Sequence, residues 1–528
     1  MTAMTTGLRH RHTPFRLGRA GRCLALLACA LLPACALNAL DSAPSGPAEP
    51  WTPKTETAAA PASAPEPGAG RPDLRAARDF AVPASSEVPP VTPTPDISST
   101  KAYDLAGLID IAQTHNPATR IAWQSARQAA LASGMVEATY LPLITANVIG
   151  GYQKFDNPLP LTIGNVSQIS TSTQGISPQI ALQWLVFDFG QRGAVHETTK
   201  HNATAANILF NGLHQKIIHD VTQAYFLYGA ARGRVGIAEQ TLANSRDILD
   251  AAEARLKNGR GNTVEEAQAR QQLAQARFGL VQAQGAEGNA YQALLAAMGI
   301  SPLTKIKVKV TGGRALPASI GAPTEKMIEA ALVQRPDVLA SLSAMKASRA
   351  GITAAEAGFM PKVYLGAIAA GGNSSLSASN LPNIAQISSA SGVVVGASMP
   401  IFDGGLRAAQ LRNAESLAAA SEETFKRVRD DAAREIVVAA NTLRSALASY
   451  TAATALAQAA QTTYDAAFSA YQAGVGNISV ATEADSGLLT ARQAQSDAHA
   501  ASLVAAANLA FALGAMTSSD VASGLVAR

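Results

Sequence analysis

Several histidines in this sequence have a spacing that could suggest metal binding. His196, Glu197 and His201 resemble part of a zinc site, but the two histidines are five residues apart. A helix places residues four apart on one face, as zinc-binding histidine pairs require. His214 and His219 show the same mismatch. We therefore predict that these are histidines on a helix surface, and we predict no metal site and no cofactor.

A second candidate is the triplet Asp188-Phe189-Gly190, which matches the magnesium-binding triplet of protein kinases. No His-Arg-Asp catalytic loop or glycine-rich loop accompanies it, and Phe402-Asp403-Gly404-Gly405 repeats it later in the chain. Both segments are typical of a turn from a strand to a helix. No nucleophile stands beside a base, and no carboxylate pair has a chemical context. We predict no catalytic residues and a protein that is not an enzyme.

The third candidate for chemistry is Cys35. Arginines precede an apolar run of twelve residues, 23–34, which is too short to span a bilayer but suits a secretory signal. Leu32-Pro33-Ala34-Cys35 resembles a bacterial lipoprotein signal, in which residues 1–34 are removed and Cys35 is lipidated. Ala36, rather than Asp, then points to outer-membrane sorting. The alternative is an ordinary signal peptide that is cleaved nearby.

The charge of the chain argues against a nucleic-acid partner. The formal net charge is +4, but five arginines and no acidic residues precede Cys35, which leaves 37 basic against 38 acidic residues in the mature chain. The chain also lacks the basic clusters that bind nucleic acid. Residues 35–101 are rich in Pro, Ala, Ser and Thr, which predicts an extended linker. Recognition of a partner by this segment is the alternative to a simple spacer.

The elements that must position any functional residue occur twice. Asn116-Pro117 and Arg335-Pro336 open equivalent segments at an offset of 219 residues, and the register then changes to 215. Three pairs of glycine-containing landmarks share the second register: Phe187–Arg192 with Phe402–Arg407, Gly259–Asn262 with Gly474–Asn477, and Met298-Gly299 with Leu513-Gly514. Each copy predicts a helix, a β-hairpin, a very long helix, a turn and a helix.

The long helix ends in a glycine-rich turn in both copies. From 206 to 256, small or apolar residues recur every three or four positions, as in a helix that packs along its whole length. A helix from Gly190 to Gly259 would be about 100 Å long. The turns at about 257–263 and 472–478 are predicted to be hairpin tips, with glycine ending one helix and asparagine capping the next. A phosphate-binding loop is excluded because the Gly-Lys-Ser/Thr ending is missing.

Segments of alternating polarity lie at the other end of each long helix. Strands are predicted at about 143–155, 175–187, 362–371 and 392–402, joined by long polar loops, a pattern typical of membrane β-barrels. A soluble β-sandwich edge is the alternative. Four strands cannot close a barrel, so several copies must share one. A dimer would supply eight strands and a trimer twelve, and only twelve leave a wide lumen.

Taken together, these features resemble the TolC-type outer-membrane channel family over about residues 102–520. The resemblance rests on the duplicated plan, the Leu-Pro and Met-Pro entries and Phe-Asp-x-Gly-x-Arg exits of the hairpins, and the two tips. It implies a mainly α fold with membrane β-hairpins, assembled as a trimer with a twelve-stranded β-barrel and a periplasmic α-barrel. The expected organisation is a first repeat at 102–300, an equatorial segment at 301–322, a second repeat at 323–515 and a tail at 516–528.

The resemblance also implies where partners bind. The tips would meet a periplasmic adaptor protein through these residues: Arg255, Gly259, Gly261, Asn262, Tyr471, Gly474, Gly476 and Asn477. Glu265, Tyr471 and Glu483 are the corresponding gate candidates. The family often has an arginine where Gly476 stands and an acidic residue where Val480 stands, and Arg260 could compensate. Solvated side chains at helix ends are the alternative.

The function implied is that of an outer-membrane channel in a tripartite export system, working with the adaptor and an inner-membrane transporter. Efflux of small molecules is the preferred activity, and type I protein secretion is an alternative. The protein would be anchored in outer-membrane lipid through Cys35 and extend into the periplasm. A lipid-anchored periplasmic coiled coil with a small soluble sheet is the competing prediction.

Overall fold

The computed structural model describes residues 87–163, 166–310, 316–378 and 384–516. The predicted signal peptide 1–34, Cys35, most of the predicted linker and all of the predicted tail except Met516 lie outside these residues. The end of the predicted linker is not a free spacer. The Thr94 hydroxyl accepts from the Ser301 amide at 3.0 Å, and the Thr94 amide donates to the Thr304 hydroxyl at 2.9 Å.

The two repeats have matching elements, which confirms the duplicated and mainly helical plan. The first repeat contains β1 (Ala102–Tyr103), α1 (Leu105–His115), α2 (Pro117–Ala138), β2 (Leu143–Ile163), β3 (Val166–Phe187), α3 (Gln191–Lys257) and α4 (Thr263–Met298). The second contains β4 (Lys307–Val308), α5 (Glu325–Leu332), α6 (Pro336–Ala357), β5 (Lys362–Ala378), β6 (Ile384–Ser398), α7 (Leu406–Ala473) and α8 (Ile478–Ala512). Helices α3 and α7 have 67 and 68 residues, so each is about 100 Å long.

The long helices pack against partners along their length. Helix α3 contacts α2 and α6 as well as α4 and α8, and α7 contacts α6 and α8. We name the α3–α4 pair hairpin 1 and the α7–α8 pair hairpin 2. One histidine differs from its prediction, because His219 is only 15% exposed and its Nε2 lies 2.7 Å from Asn508 Oδ1 on α8. This contact with α8 places His219 between the two hairpins. The spacing of the histidines alone could not predict such a position.

A hydrophobic core surrounds the paired strands β1 and β4, which run parallel. It is formed mainly by α1, α3 and the end of α4, through fully buried residues such as Leu108, Val221, Leu294 and Met298. Gly299 ends α4 with φ of +68°, and a Cβ there would lie 2.5 Å from the Asn116 side chain. Helix α2 begins at this point because Asn116 caps it and Pro117 follows.

The other strands form one antiparallel sheet in the order β2-β3-β5-β6. Ile144 pairs with Leu182, Leu182 with Ala367, and Ala367 with Val393. Since side chains alternate along a strand, these four residues share one face. That face carries exposed apolar side chains on β2, β3 and β6: Ile144, Val148, Tyr152, Ile176, Ile180, Val393 and Val395. Within the described chain, neither outer edge of this sheet is paired with another strand.

The strands extend farther than the alternating pattern predicts. The polar segment between 156 and 172, expected to be a loop, continues β2 and β3, with Asp156 paired to Ser170. In the second hairpin, β5 reaches Ala378, and β6 spans Ile384–Ser398 instead of 392–402. Backbone hydrogen bonds sustain a hairpin whether or not one face is apolar. Strand β6 ends before Pro400, which has no amide hydrogen to donate. Among the described residues, no helix carries an apolar run long enough to cross a membrane.

An Asp–Arg ion pair forms each corner between sheet and long helix, which confirms the predicted strand-to-helix turns; the first pair is buried and the second is partly exposed. Asp188 accepts from the Gly190 and Arg192 amides and from Arg192 Nε at 2.9 Å. The Arg192 guanidinium also donates to the carbonyls of Thr139 and Val186, and it lies 4.6 Å from the ring of Tyr140. The second corner repeats this arrangement with an Arg407–Asp403 contact of 2.6 Å.

Candidate functional site at the hairpin tips

The two tips are closed by the same hydrogen bonds. In hairpin 1, the Arg255 carbonyl accepts from the amides of Arg260 at 2.9 Å and Gly261 at 3.1 Å. In hairpin 2, the Ala470 carbonyl accepts from the amides of Val475 at 3.1 Å and Gly476 at 2.9 Å. Gly259 and Gly474 follow the helices with φ of +70° and +86°, the left-handed conformation that ends many helices. The predicted tips are therefore present, and each depends on a glycine.

Steric hindrance explains why residue 476 is a glycine. A Cβ at this position would lie 2.8 Å from the Tyr471 backbone nitrogen and 2.9 Å from the Ala470 carbonyl carbon. Because real Cβ atoms do not approach a backbone so closely, this tip has no room for an arginine at position 476. Gly261 is also tight, with a prospective Cβ 3.1 Å from the Leu256 nitrogen.

The asparagines after the turns cap the following helices. Asn262 Oδ1 accepts from the Glu265 amide at 2.9 Å, and Asn262 Nδ2 donates to Glu265 Oε1 at 3.3 Å. Asn477 Oδ1 accepts from the Ser479 amide at 3.0 Å. Capping thus holds the Glu265 side chain at the start of α4, where it faces hairpin 2.

Tyr471 and Glu265 join the two hairpins. Tyr471 lies in the last turn of α7 with 0% of its surface exposed, and its hydroxyl donates to Glu265 Oε2 at 3.3 Å. Burial, reinforced by the negative charge of Glu265, raises the pKa of Tyr471 to about 12. The phenol therefore stays protonated at every physiological pH and keeps its hydrogen to donate.

Arg255 completes this cluster from the last turn of α3. Its guanidinium carbon lies 4.7 Å from the centre of the Tyr471 ring, and its NH1 donates to the Tyr471 carbonyl at 2.8 Å. Its buried Nε lies 3.8 Å from Glu265 Oε2 and has no hydrogen-bond acceptor among the described residues. The guanidinium beside Tyr471 and Glu265 is therefore that of Arg255, and not that of Arg260, which the sequence had suggested. The exposed Arg260 contributes its backbone carbonyl, which Arg255 NH2 approaches at 3.4 Å.

Apolar side chains from all four long helices support the tips. The buried group consists of Ile248, Ala252, Ala269, Tyr464, Tyr471, Ile478, Ala481 and Leu488. Glu483, the third predicted gate residue, is exposed on α8, and no described contact joins it to Tyr471. Val264 and Val475 are also exposed, at 62% and 85%, so each tip presents an apolar side chain to its surroundings.

The sequence prediction missed Asp485. This carboxylate is only 1% exposed, and it lies on α8 between the buried residues Ala481 and Leu488. The signal was present in the sequence, because 481, 485 and 488 have the spacing of one helix face. A carboxylate on such a face needs hydrogen-bond partners, which other helices supply here.

Comparison with known proteins connects these features to one family. The model of the outer membrane efflux protein family matches residues 108–300 and 327–515, which fall in the two repeats. The chain is 27% identical over 255 residues to the probable outer membrane lipoprotein SilC of Salmonella typhimurium, a match covering 48% of this chain and about half, 53%, of SilC. It is 26% identical over 355 residues to the cation efflux system protein CusC of Escherichia coli O6:H1, covering 66% of this chain and 75% of CusC.

A solved structure shows the same fold. The CmeC outer membrane channel of Campylobacter jejuni superposes with a TM-score of 0.66 at 18% sequence identity. The superposition covers 80% of this chain and 88% of CmeC. Sequence and fold comparisons thus agree over both repeats.

Proposed function

This chain belongs to the outer membrane efflux protein family, as its sequence predicted, and from that membership we propose that it is a trimeric channel for the efflux of small molecules. In this proposal, the four-stranded sheet supplies one third of a twelve-stranded barrel in the outer membrane. The long helices continue the barrel as a tunnel through the periplasm. The hairpin tips receive a periplasmic adaptor, which connects the channel to an inner-membrane transporter.

The observation that carries this proposal is the four-stranded sheet. One face has exposed apolar side chains on β2, β3 and β6, and both outer edges are unpaired in the described chain. In lipid, unpaired backbone groups cost several kcal/mol each, so such a sheet must close with strands from other copies. Three copies supply twelve strands, which leave a lumen that side chains do not fill. A small soluble sheet on a coiled coil has no need for an apolar outer face of this extent.

The proposed cargo is a small molecule, and metal cations are the first class to test, because the relative CusC is named as a cation efflux protein. We also propose that Cys35 is lipidated after removal of residues 1–34, as the relative SilC is named as a lipoprotein. The mass of the mature N-terminal peptide tests this modification. An unmodified N-terminus at another position would exclude it.

The proposed gate is the contact of Tyr471 with Glu265, supported by Arg255. This contact links α7 of hairpin 2 to α4 of hairpin 1, so the tips cannot separate until it breaks. Gly259, Gly261, Asn262, Gly474, Gly476 and Asn477 form the turns that present the tips to the adaptor. Glu483 is exposed, and we propose that it faces the entrance.

Replacing Tyr471 by phenylalanine should open the entrance without unfolding the tip. The variant keeps the buried ring but loses the hydrogen bond to Glu265, which is worth about 1 kcal/mol. The open population should therefore rise about fivefold. The measurement is the conductance of the purified protein in planar lipid bilayers, compared with wild type and with Glu265→Gln.

Tyr450→Phe is the matched control, since it makes the same change on α7 far from the tip. Wild-type conductance in Tyr471→Phe would remove Tyr471 from the gate. A wild-type protein that stays monomeric and soluble without detergent, and conducts no ions, would remove the channel itself.

A further inference from the structure

Asp485 accepts hydrogen bonds from three side chains of hairpin 1. Asn244 Nδ2 donates to it at 3.1 Å, Ser245 Oγ at 2.9 Å and Gln272 Nε2 at 3.3 Å. Asn244 and Ser245 lie on α3 and are themselves buried, while Gln272 lies on α4. One carboxylate of hairpin 2 is therefore held by both helices of hairpin 1.

This cluster is separate from the contact at the tips. Asp485 lies seven residues after Ile478, the first residue of α8, which corresponds to about 10 Å along the helix axis. It shares no hydrogen bond with Tyr471, Glu265 or Arg255 among the described contacts. Separating the hairpins would remove the three donors and let water reach the carboxylate.

The groups around Asp485 leave its charge only weakly compensated. The positive charge of Arg492, also on α8, acts to lower the pKa of Asp485 but is not the largest influence on it. Tyr464 faces Asp485 from α7. Helix α3 adds Asp247, whose charge acts on Tyr464, and α4 adds the neutral Gln272. Burial outweighs the hydrogen bonds and Arg492, so the pKa of Asp485 is raised above its ordinary value. Burial, together with the negative charge of Asp485, also raises the pKa of Tyr464.

We propose that Asp485 forms a second tie between the hairpins, above the tips, which makes their separation depend on pH. The inference rests on the proposed channel function, because opening of the entrance is what separates the hairpins. Asp485 acts as a positioning residue: it holds α8 against α3 and α4 and does not need to touch the cargo.

The direction of the pH effect follows from the two states. A carboxylate with a raised pKa in the packed state binds its proton more tightly there than in the separated state. The packed state is therefore favoured most at a pH below the ordinary aspartate value of about 3.9, and this advantage is lost as pH rises through the raised pKa. Acid should close the entrance. Each unit of pKa difference between the states changes the opening equilibrium by up to about tenfold per chain.

The test compares wild type with Asp485→Asn, which keeps the size of the side chain and one acceptor oxygen but cannot ionise. Conductance of the full mature protein in planar bilayers is measured from pH 4 to pH 8. Wild-type conductance should rise several-fold across this range, and the variant should show a flatter curve that stays near the acid value. Asp485→Ala removes the tie altogether and should raise conductance throughout.

A second measurement does not depend on conduction. The melting temperature in detergent should be higher for Asp485→Asn than for wild type, and this difference should grow as the pH increases. Asp497→Asn is the control, because Asp497 is a partly exposed carboxylate of α8 that pairs with Arg234 of α3 at 2.6 Å. The difference in melting temperature between Asp497→Asn and wild type should stay constant between pH 5 and pH 8.

The outcomes separate the two proposals. If Asp485→Asn keeps the wild-type pH dependence in both measurements, or if Asp485→Ala lowers conductance, the Asp485 tie is wrong. If wild type conducts at no pH, the channel proposal fails, and the melting curves still decide whether protonation of Asp485 strengthens hairpin packing.

Discussion

Replacing Gly474 by valine should abolish the proposed export while leaving the proposed trimer assembled. Gly474 has φ of +86° at the end of α7, a conformation that valine adopts only with strain. The turn must rearrange, and the Ala470 carbonyl then loses the amides of Val475 and Gly476. The Tyr471 carbonyl moves with it, away from Arg255 NH1. Gly259→Val should act in the same way on the other tip, where φ is +70°.

Export is measured as resistance to toxic compounds, including metal salts, in cells that lack the chromosomal gene and carry the variant on a plasmid. Resistance should fall to that of cells with an empty plasmid, because a misfolded tip could not receive the proposed adaptor. The amount of heat-modifiable oligomer in the outer membrane should equal that of wild type, since the sheet lies at the far end of helices about 100 Å long.

Gly288→Val is the matched control. Gly288 lies inside α4, and a Cβ there would meet no atom within 4 Å. Valine also has a higher helix propensity than glycine, so this substitution should not destabilise the helix. This variant should export normally. Full resistance in both Gly259→Val and Gly474→Val would show that the tips are not the docking site.

The repeated architecture could be predicted from sequence because its limits are set by local chemistry. Glycine and asparagine mark the tips, Pro117 and Pro336 begin equivalent helices, and Phe-Asp-x-Gly-x-Arg marks the corners. The strand ends could not be predicted from alternation. Between 156 and 172 the polar sequence resembles a loop, yet antiparallel pairing continues to Asn157 and Pro158. A hairpin is held by backbone hydrogen bonds, which the side-chain pattern does not report.

The candidate site was predicted in its positions but not in all its contacts. Tyr471 and Glu265, both predicted as gate candidates, lie 206 residues apart and are joined by a hydrogen bond between the hairpins. The role of Arg255 depends on its orientation over the Tyr471 ring, four residues before Gly259, and periodicity gives no information about that orientation. Asp485 was overlooked because the sequence shows a carboxylate without showing Asn244, Ser245 and Gln272 around it. Both contacts cross between hairpins, so spacing along one helix can place Asp485 on a buried face but cannot show which residues of the other hairpin it contacts.

Asp188→Asn should destabilise the proposed oligomer more than the equivalent change Asp403→Asn. The Asp188 side chain is 7% exposed and its partner Arg192 is 11% exposed, so loss of the carboxylate charge leaves a buried cation without a counter-ion. Breaking such a pair costs about 3 kcal/mol per chain. Arg192 also connects the end of α2 to β3 through the carbonyls of Thr139 and Val186, so its displacement would loosen the hairpin that enters the sheet.

The second corner provides the control within the same molecule. Asp403 is 24% exposed and more accessible to water, and Arg407 makes one backbone contact, to the Pro400 carbonyl at 2.7 Å, where Arg192 makes two. Hydrogen bonding to Arg407 lowers the pKa of Asp403, so this corner is also stabilised by charge, but water can replace much of what is lost. The measurement is the temperature at which the oligomer dissociates in heated detergent samples. Asp188→Asn should lower it far more than Asp403→Asn. Equal effects at the two corners would mean that the shared sequence motif, rather than the burial of its ion pair, determines how strongly each hairpin is held.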